Sequence, residues 1–257
     1  MGANLSSEML IEDQLKKYHA TIITSLFVFS IMSPYAVAKT KILRLGYIEF
    51  HPYFYTNGQG NPEGIFIDIA EKVFREAGFR LEAVQLPTKR MAAYLGDGEI
   101  VVWMGLKTLP EFEGKAYLGN SVLAELVLRA YMIGEKPYLH IKEDLKNKKI
   151  IVLRGYSYGG WIHYLKYPSN NIELLKADSH QAAFQMLNAG RADYVLDYRR
   201  PSEVVLQQTD ITDIRFSDMA AFPCFFVVSK KLPQGQIILD LLEHAFQKLK
   251  LQGLLPD

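Results

Sequence analysis

The sequence predicts an α/β protein built from two similar units with a cleft between them. Three observations carry this expectation. Short β-rich apolar runs alternate with segments of helical period, the alternation occurs twice, and Gly134-Glu135-Lys136-Pro137 separates the two series as a linker. A βαβαβ rhythm marks a largely parallel sheet. Small ligands gather at domain junctions and outside the carboxyl ends of parallel strands.

In chain order, residues 41–48 (KILRLGYI) alternate and read as a strand. The next stretch, FHPYFYTNGQGNPEG, is a loop or hairpin with Asn57-Gly58 as its turn signal. Phe66, Ile69, Ala70, Val73, Phe74 and Ala77 recur at helical spacing, and Gly78 supplies the stop. Residues 79–86 read as a strand. Pro87 and Thr88 open a short helix through Tyr94, which Gly96-Asp97-Gly98 breaks before the strand EIVVWMG. Residues 121–133 are extended and apolar.

In the second unit, Ile141–Lys146 reads as a short helix and KKIIVLRG as a buried strand. YSYGGWIHYLKY leads into a helix, IELLKA is a strand, and Ser179 caps the helix HQAAFQMLNAG. RADYVLDY is a strand and PSEVVLQQT a short helix. Phe222–Ser229 is a closing apolar strand, followed by an amphipathic helix over Gln236–Gln252.

Of the 257 residues, 49% are hydrophobic and 22% charged, which suits one or two globular domains and excludes a disordered chain. The net charge is +1 with both signs mixed, so no basic stripe points to nucleic acid. Lys16, Lys17 and His19 precede the apolar run Ala20–Met32, and Ala36-Val37-Ala38 follows. A basic region, a short apolar region and an A-x-A site predict an export signal cleaved after Ala38, with an uncleaved anchor as the alternative. The part from Lys39 onward is expected to be soluble in the periplasm and monomeric. Cys224 is the single cysteine, so no internal disulfide and no cysteine metal cluster can form.

One motif invites an enzymatic reading. Gly155-Tyr156-Ser157-Tyr158-Gly159 matches G-x-S-x-G between a strand and a helix, and Asp197 and His244 follow in hydrolase order. Against it, His244 lies inside a periodic helix and no HGGG-like stretch offers a second oxyanion donor. The same turn is equally suited to donating N–H and hydroxyl groups to an anion. No histidines pair for a metal and no Walker or dinucleotide fingerprint is present, so no cofactor is expected. Aromatics cluster after strands in both units: Phe50, Tyr53, Phe54, Tyr55 and Trp103 in the first, Tyr156, Tyr158 and Trp161 in the second. They suit ordinary packing, and as a set they suit a cleft that encloses a ligand between aromatic faces.

Taken in order, LRLGYIEFHPYFYTNGQGNPEGIFIDIAEKVFREAG, LKNKKIIVLRGYSYG and HQAAFQMLNAGRADYVLDY resemble a family 3 extracellular solute-binding protein of the polar-amino-acid-binding type. The resemblance implies a two-lobed Venus-flytrap fold (type II, mixed and mostly parallel sheets). Its first lobe would be 39–133 plus 222–257, its second 137–218, with hinge strands near 130–136 and 218–223. It also implies binding of a small polar or anionic solute without catalysis, and delivery to a membrane ABC permease, or to a membrane sensor. Tyr53 and Phe54 would form an aromatic wall with Trp103. Gly105 and Lys107 would donate from the first lobe, and Tyr156 and Ser157 would form an anion turn in the second. Asp197 would accept from a cationic group. Where the family often reads T-P-E-R, this chain has Leu109-Pro110-Glu111-Phe112, so the arginine that forks onto an α-carboxylate is absent. Val101 stands where the family usually carries an aspartate. Arg90, in Pro87-Thr88-Lys89-Arg90, is a candidate for the missing positive group, as is Lys107. Glu49 and Asp197 could meet across the cleft as an acid/base pair.

Overall fold

The computed structural model describes residues 41–107 and 112–256. The expected export signal over 1–38 and the Leu109-Pro110-Glu111 stretch lie outside the described residues.

Strand β1 (Ile42–Tyr47) sits between β4 (Arg80–Gln85) and β5 (Val102–Gly105), parallel to both. Its alternation turns Leu43, Leu45 and Tyr47 into the core. The loop after β1 folds into a small hairpin of β2 (Tyr55–Thr56) and β3 (Pro62–Glu63). Its turn is held by the Asn57 side-chain oxygen, which accepts from the Gln59 and Asn61 amides. Helix α1 (Ile65–Glu76) starts directly on this loop. The Ile65 and Phe66 amides, two of the donors a helix start leaves unpaired, reach the Pro52 and Tyr53 carbonyls. Gly64 allows that approach, because a Cβ there would lie 2.5 Å from the Tyr53 carbonyl oxygen and φ is +121°.

Helix α2 (Thr88–Asp97) runs past the expected end at Tyr94. The residue that stops it is Gly98, the last of the expected Gly96-Asp97-Gly98 break, in the left-handed conformation. A short β6 (Ala116–Leu118), with no strong sequence signal, pairs with the last strand. The chain then enters β7 (Ala124–Ile133).

In the second unit, β8 (Lys149–Leu153) lies between β9 (Glu173–Ala177) and β10 (Tyr194–Tyr198), again parallel to both. The segment 158–165 is a 3-10 turn followed by the five-residue α3 (Trp161–Leu165). Helix α4 (His180–Asn188) carries the expected cap, with the Ser179 hydroxyl accepting from the Ala182 amide. Its Ala183, Phe184 and Leu187 pack on Ile151, Leu153 and Val195, while Ile150, Val152 and Leu196 point to the other face. Helix α5 (Arg199–Leu206) begins directly after β10.

Strand β11 (Ile214–Ser229) is longer than the expected Phe222–Ser229. It pairs antiparallel with β7 through Ile214–Cys224, then with β5 and β6 through Phe225–Ser229. The resulting nine-stranded mixed sheet has the order β4-β1-β5-β11-β7-β10-β8-β9, with β6 beside β11. Its register shifts between Asp218 and Ala220. Helix α6 (Gly235–Leu251) returns across the first half and packs on α1. No described helix is long and apolar enough to cross a membrane.

Candidate functional site

The carboxyl ends of β1, β5, β8 and β10 converge on a cavity of about 410 Å³. Residues just beyond each strand line it: Glu49 and Phe50, Leu106, Gly155 to Ser157, and Tyr198 at the end of β10. Parallel strands leave such a crevice where the loops after them diverge. The volume falls in the range of small-molecule sites.

Aromatic rings build most of the wall. Phe54 stacks on Trp103 with centroids 5.9 Å apart, and on its other sides meets Tyr47 and Phe66. Trp103 lies flat over Gly105, whose lack of a side chain leaves room for the indole. A Cβ there would be 2.4 Å from the ring. The indole N–H of Trp103 is buried and has no partner among the described residues. Phe50 bridges the two halves of the sheet. It stacks on Tyr53 at 5.1 Å and meets the rings of Tyr156 and Tyr198 edge-on at 5.6 and 5.4 Å.

Of the residues expected at the site, Phe54, Trp103, Gly105, Tyr156 and Ser157 line the cavity together. The other four do not. Tyr53 is buried between Phe50 and Phe66, and burial pushes its phenol up to about 12, against the pull of Arg200 and Arg199. Arg90 is exposed at the start of α2, which turns Met91, Ala92 and Ala93 to the cavity instead. The Lys107 ammonium donates to the Gly119 carbonyl at 2.8 Å and lies 3.7 Å from the Phe225 ring centre, so the expected donor is already engaged. Phe112, at the position of the family's arginine, is buried in the core.

Asp197 is the largest revision. It was expected to meet a ligand, but its carboxylate is completely buried and internally bonded. Oδ1 accepts from the Tyr198 amide at 2.8 Å. Oδ2 accepts from the Ser202 hydroxyl at 3.0 Å and lies 2.6 Å from His180 Nδ1. The other ring nitrogen of His180, Nε2, lies 3.2 Å from the Tyr156 hydroxyl. Asp197 therefore reaches the cavity wall only through His180 and Tyr156. Burial raises the Tyr156 phenol, and the negative Asp197 raises it further, so it keeps its proton at neutral pH. The hydrolase order is not assembled either, since the partner of Asp197 is His180 and His244 is exposed on α6.

Sequence reading undervalued Glu49. It lines the cavity directly after β1, where the strand-end rule points. Its Oε1 accepts from the Thr56 amide at 3.1 Å, the Thr56 hydroxyl at 2.8 Å and the Gln85 amide group at 2.8 Å. No described hydrogen bond uses Oε2. The imagined pairing of Glu49 with Asp197 is absent, because Asp197 is closed within its own shell. Among the described residues no cluster of three His, Cys, Asp or Glu could hold a metal ion.

No protein-family model and no curated protein matches the chain. Solved structures do. An ancestral arginine-binding protein bound to arginine aligns with a TM-score of 0.64 at 21% identity, over 83% of this chain and 94% of its own. The substrate-binding protein of an amino acid ABC transporter aligns with a TM-score of 0.61 at 20% identity, over 83% and 95%. A histidine kinase sensor domain with similarity to periplasmic binding proteins gives 0.65 at 16% identity, over 84% and 92%. These likenesses show the fold, which is the two-lobed, type II periplasmic-binding-protein-like architecture.

Proposed function

We propose that this protein is a family 3 extracellular solute-binding protein, exported to the periplasm through the signal at 1–38. It holds a small polar organic solute between two lobes and delivers it to an ABC permease. The observation that carries the reading is the cavity of about 410 Å³ at the strand ends of both halves of the sheet, walled by aromatic rings. The proposed lobes are 39–133 with 222–257, and 137–218, and the hinge lies where β7 and β11 run between them. Closure of one lobe on the other around the solute is the motion a membrane partner would read. Phe54, Trp103, Gly105, Tyr156 and Ser157 form the binding wall. A second reading is favoured by the likeness to a sensor domain: the same cleft serves a membrane signalling partner instead of a permease.

A thermal-shift screen of the purified protein tests the binding reading. The panel holds amino acids, amines, polyamines, dicarboxylates, short peptides and sugar acids. A ligand at about 100 times its dissociation constant adds about 2.7 kcal/mol, a rise on the order of 5–10 °C for a chain of this size. A rise of that size, lost when Phe54→Ala opens the wall, supports the reading. No rise with any compound overturns it.

A further inference from the structure

The polar groups on the cavity wall have a direction. Asp197 accepts from the Tyr198 amide with one oxygen and from the Ser202 hydroxyl with the other. As a third acceptor contact of that carboxylate, the 2.6 Å approach of His180 assigns the ring proton to Nδ1. In a neutral imidazole the other nitrogen is then an acceptor. With that tautomer, the Tyr156 hydroxyl, 3.2 Å from Nε2, is the donor of the pair. What Tyr156 has left for the cavity is lone pairs. Glu49 contributes the same kind of surface: it lines the cavity, three donors hold Oε1, and no described hydrogen bond uses Oε2.

Positive groups are poorly placed to answer a carboxylate. Lys107 is spent on the Gly119 carbonyl and the Phe225 ring. Lys115 lines the rim, but it is exposed and its stem lies along Gly96. Arg129 is paired with Asp218 and Glu203. Arg199 and Arg200 open α5 beside the site, and neither lines the cavity. The faces of Phe50, Phe54, Trp103 and Tyr198 complete a wall that favours a cation over an anion. The unpartnered Trp103 N–H adds a single donor, enough for one neutral acceptor atom.

We propose that the cavity recognises a small organic cation, a protonated amine on an apolar or aromatic body, through Glu49 and the Tyr156 oxygen. Asp197 and His180 are positioning residues that fix the direction of the Tyr156 hydroxyl. The proposal rests on the solute-binding reading above and deepens it.

Asp197→Asn is the informative variant. The Tyr198 amide keeps the new carbonyl oxygen at the Oδ1 position, so the new NH2 faces His180. It then donates to Nδ1 and drives the ring proton to Nε2. Tyr156 must accept from His180 and turn its proton into the cavity, the wrong sign for an ammonium group. An amide in place of a buried aspartate forces the wrong histidine tautomer in the same way in serine proteases.

Calorimetric titration of the full protein uses three probes with one phenyl body: L-phenylalaninol, L-phenylalanine and 3-phenylpropionate. The expected order is amino alcohol first, about tenfold or more tighter than the amino acid, and the acid weakest. Glu49→Gln keeps an oxygen for Thr56 and Gln85, so it should keep its melting temperature and lose about tenfold in amino-alcohol affinity. Asp197→Asn should weaken the amino alcohol severalfold, and should cost nothing further in a Tyr156→Phe background. If Asp197→Asn does not fold, His180→Phe frees the Tyr156 hydroxyl and must lower the same preference. Equal or tighter binding of either carboxylate probe overturns the cation assignment. An Asp197→Asn loss of the same size in both backgrounds overturns the positioning role. If none of the three probes binds while another solute of the broad screen does, the cation proposal falls and solute binding stands. If nothing binds in either experiment, both fall.

Discussion

Gly105→Ala probes the packing on which the cavity wall depends. The added Cβ would sit 2.4 Å from Cζ2, 2.6 Å from Cε2 and 2.7 Å from Nε1 of Trp103. Carbon atoms in contact prefer about 3.5–4.0 Å, so the indole has to give way by about 1 Å. It cannot recede freely, because Phe54 stacks on it and Trp103 is 7% exposed. Overpacking a rigid ring in this way costs about 1–3 kcal/mol. At about 2 kcal/mol the melting temperature should fall by about 4–8 °C. Thermal melts followed by circular dichroism measure this. Trp103 is one of only two tryptophans, so a shift in indole emission should accompany it. Trp103→Phe removes the atoms that clash. In that background the added methyl should cost little, and the two substitutions should be strongly non-additive. A penalty of equal size with tryptophan or phenylalanine at 103 would refute the reasoning, as would a Gly105→Ala protein with unchanged melting and emission.

Two further predictions concern titratable groups. Asp193 accepts the Lys149 amide at 2.8 Å and faces the Lys136 ammonium at 3.3 Å, and these donors hold its carboxyl below the usual aspartate value. A depressed folded value means stability that is complete above about pH 3.9 and is lost as pH falls through the folded value. Its side chain is 44% exposed, so screening keeps the contribution below about 1 kcal/mol. Asp193→Asn should therefore lower stability at pH 7 and match the parent near pH 2, and an offset that persists unchanged in urea melts at acid pH would count against the assignment. Cys224 is buried, and burial pushes its thiol up to about 12. At pH 8 only on the order of 10⁻⁴ of it is thiolate, so iodoacetamide should leave it unmodified in the folded protein and alkylate it in denaturant. Rapid labelling of the native protein, read by mass spectrometry, would contradict this environment.

Much of the architecture was legible because it rests on local signals. The alternation in β1, the helical spacing from Phe66 to Ala77 and the cap at Ser179 each carry their cause in a few neighbouring residues. The portions that were missed depend on distant partners. β6 has three residues, and the early part of β11, IRFSDMAA, is an ordinary mixed segment until β7 lies beside it. The site divides in the same way. Aromatics after strand ends were visible as a set, and five of the expected residues do meet at one cavity. Asp197 was misjudged because its carboxylate is filled by His180, 17 positions away, and by Ser202 one turn into α5. Nothing near Lys107 in the sequence announces that the Gly119 carbonyl will take its ammonium. Glu49 was legible only as a partner for Asp197, although it stands directly beyond a parallel strand.

The strand common to both halves of the sheet is also the last of the described strands. β5, already paired with β1 on one side, lacks its second neighbour until Phe225–Val228 arrive, and β7, paired with β10 on one side, lacks its second until Ile214–Cys224 do. A chain that emerges N-terminus first, from a ribosome or a translocation channel, thus carries two unfinished sheets through most of its length. The second half cannot complete its ladder before Cys224 is present, and the first cannot before Ser229 is. The order in which the strands are written along the chain makes both halves wait for one strand, and then allows both to complete on a single stretch of 16 residues.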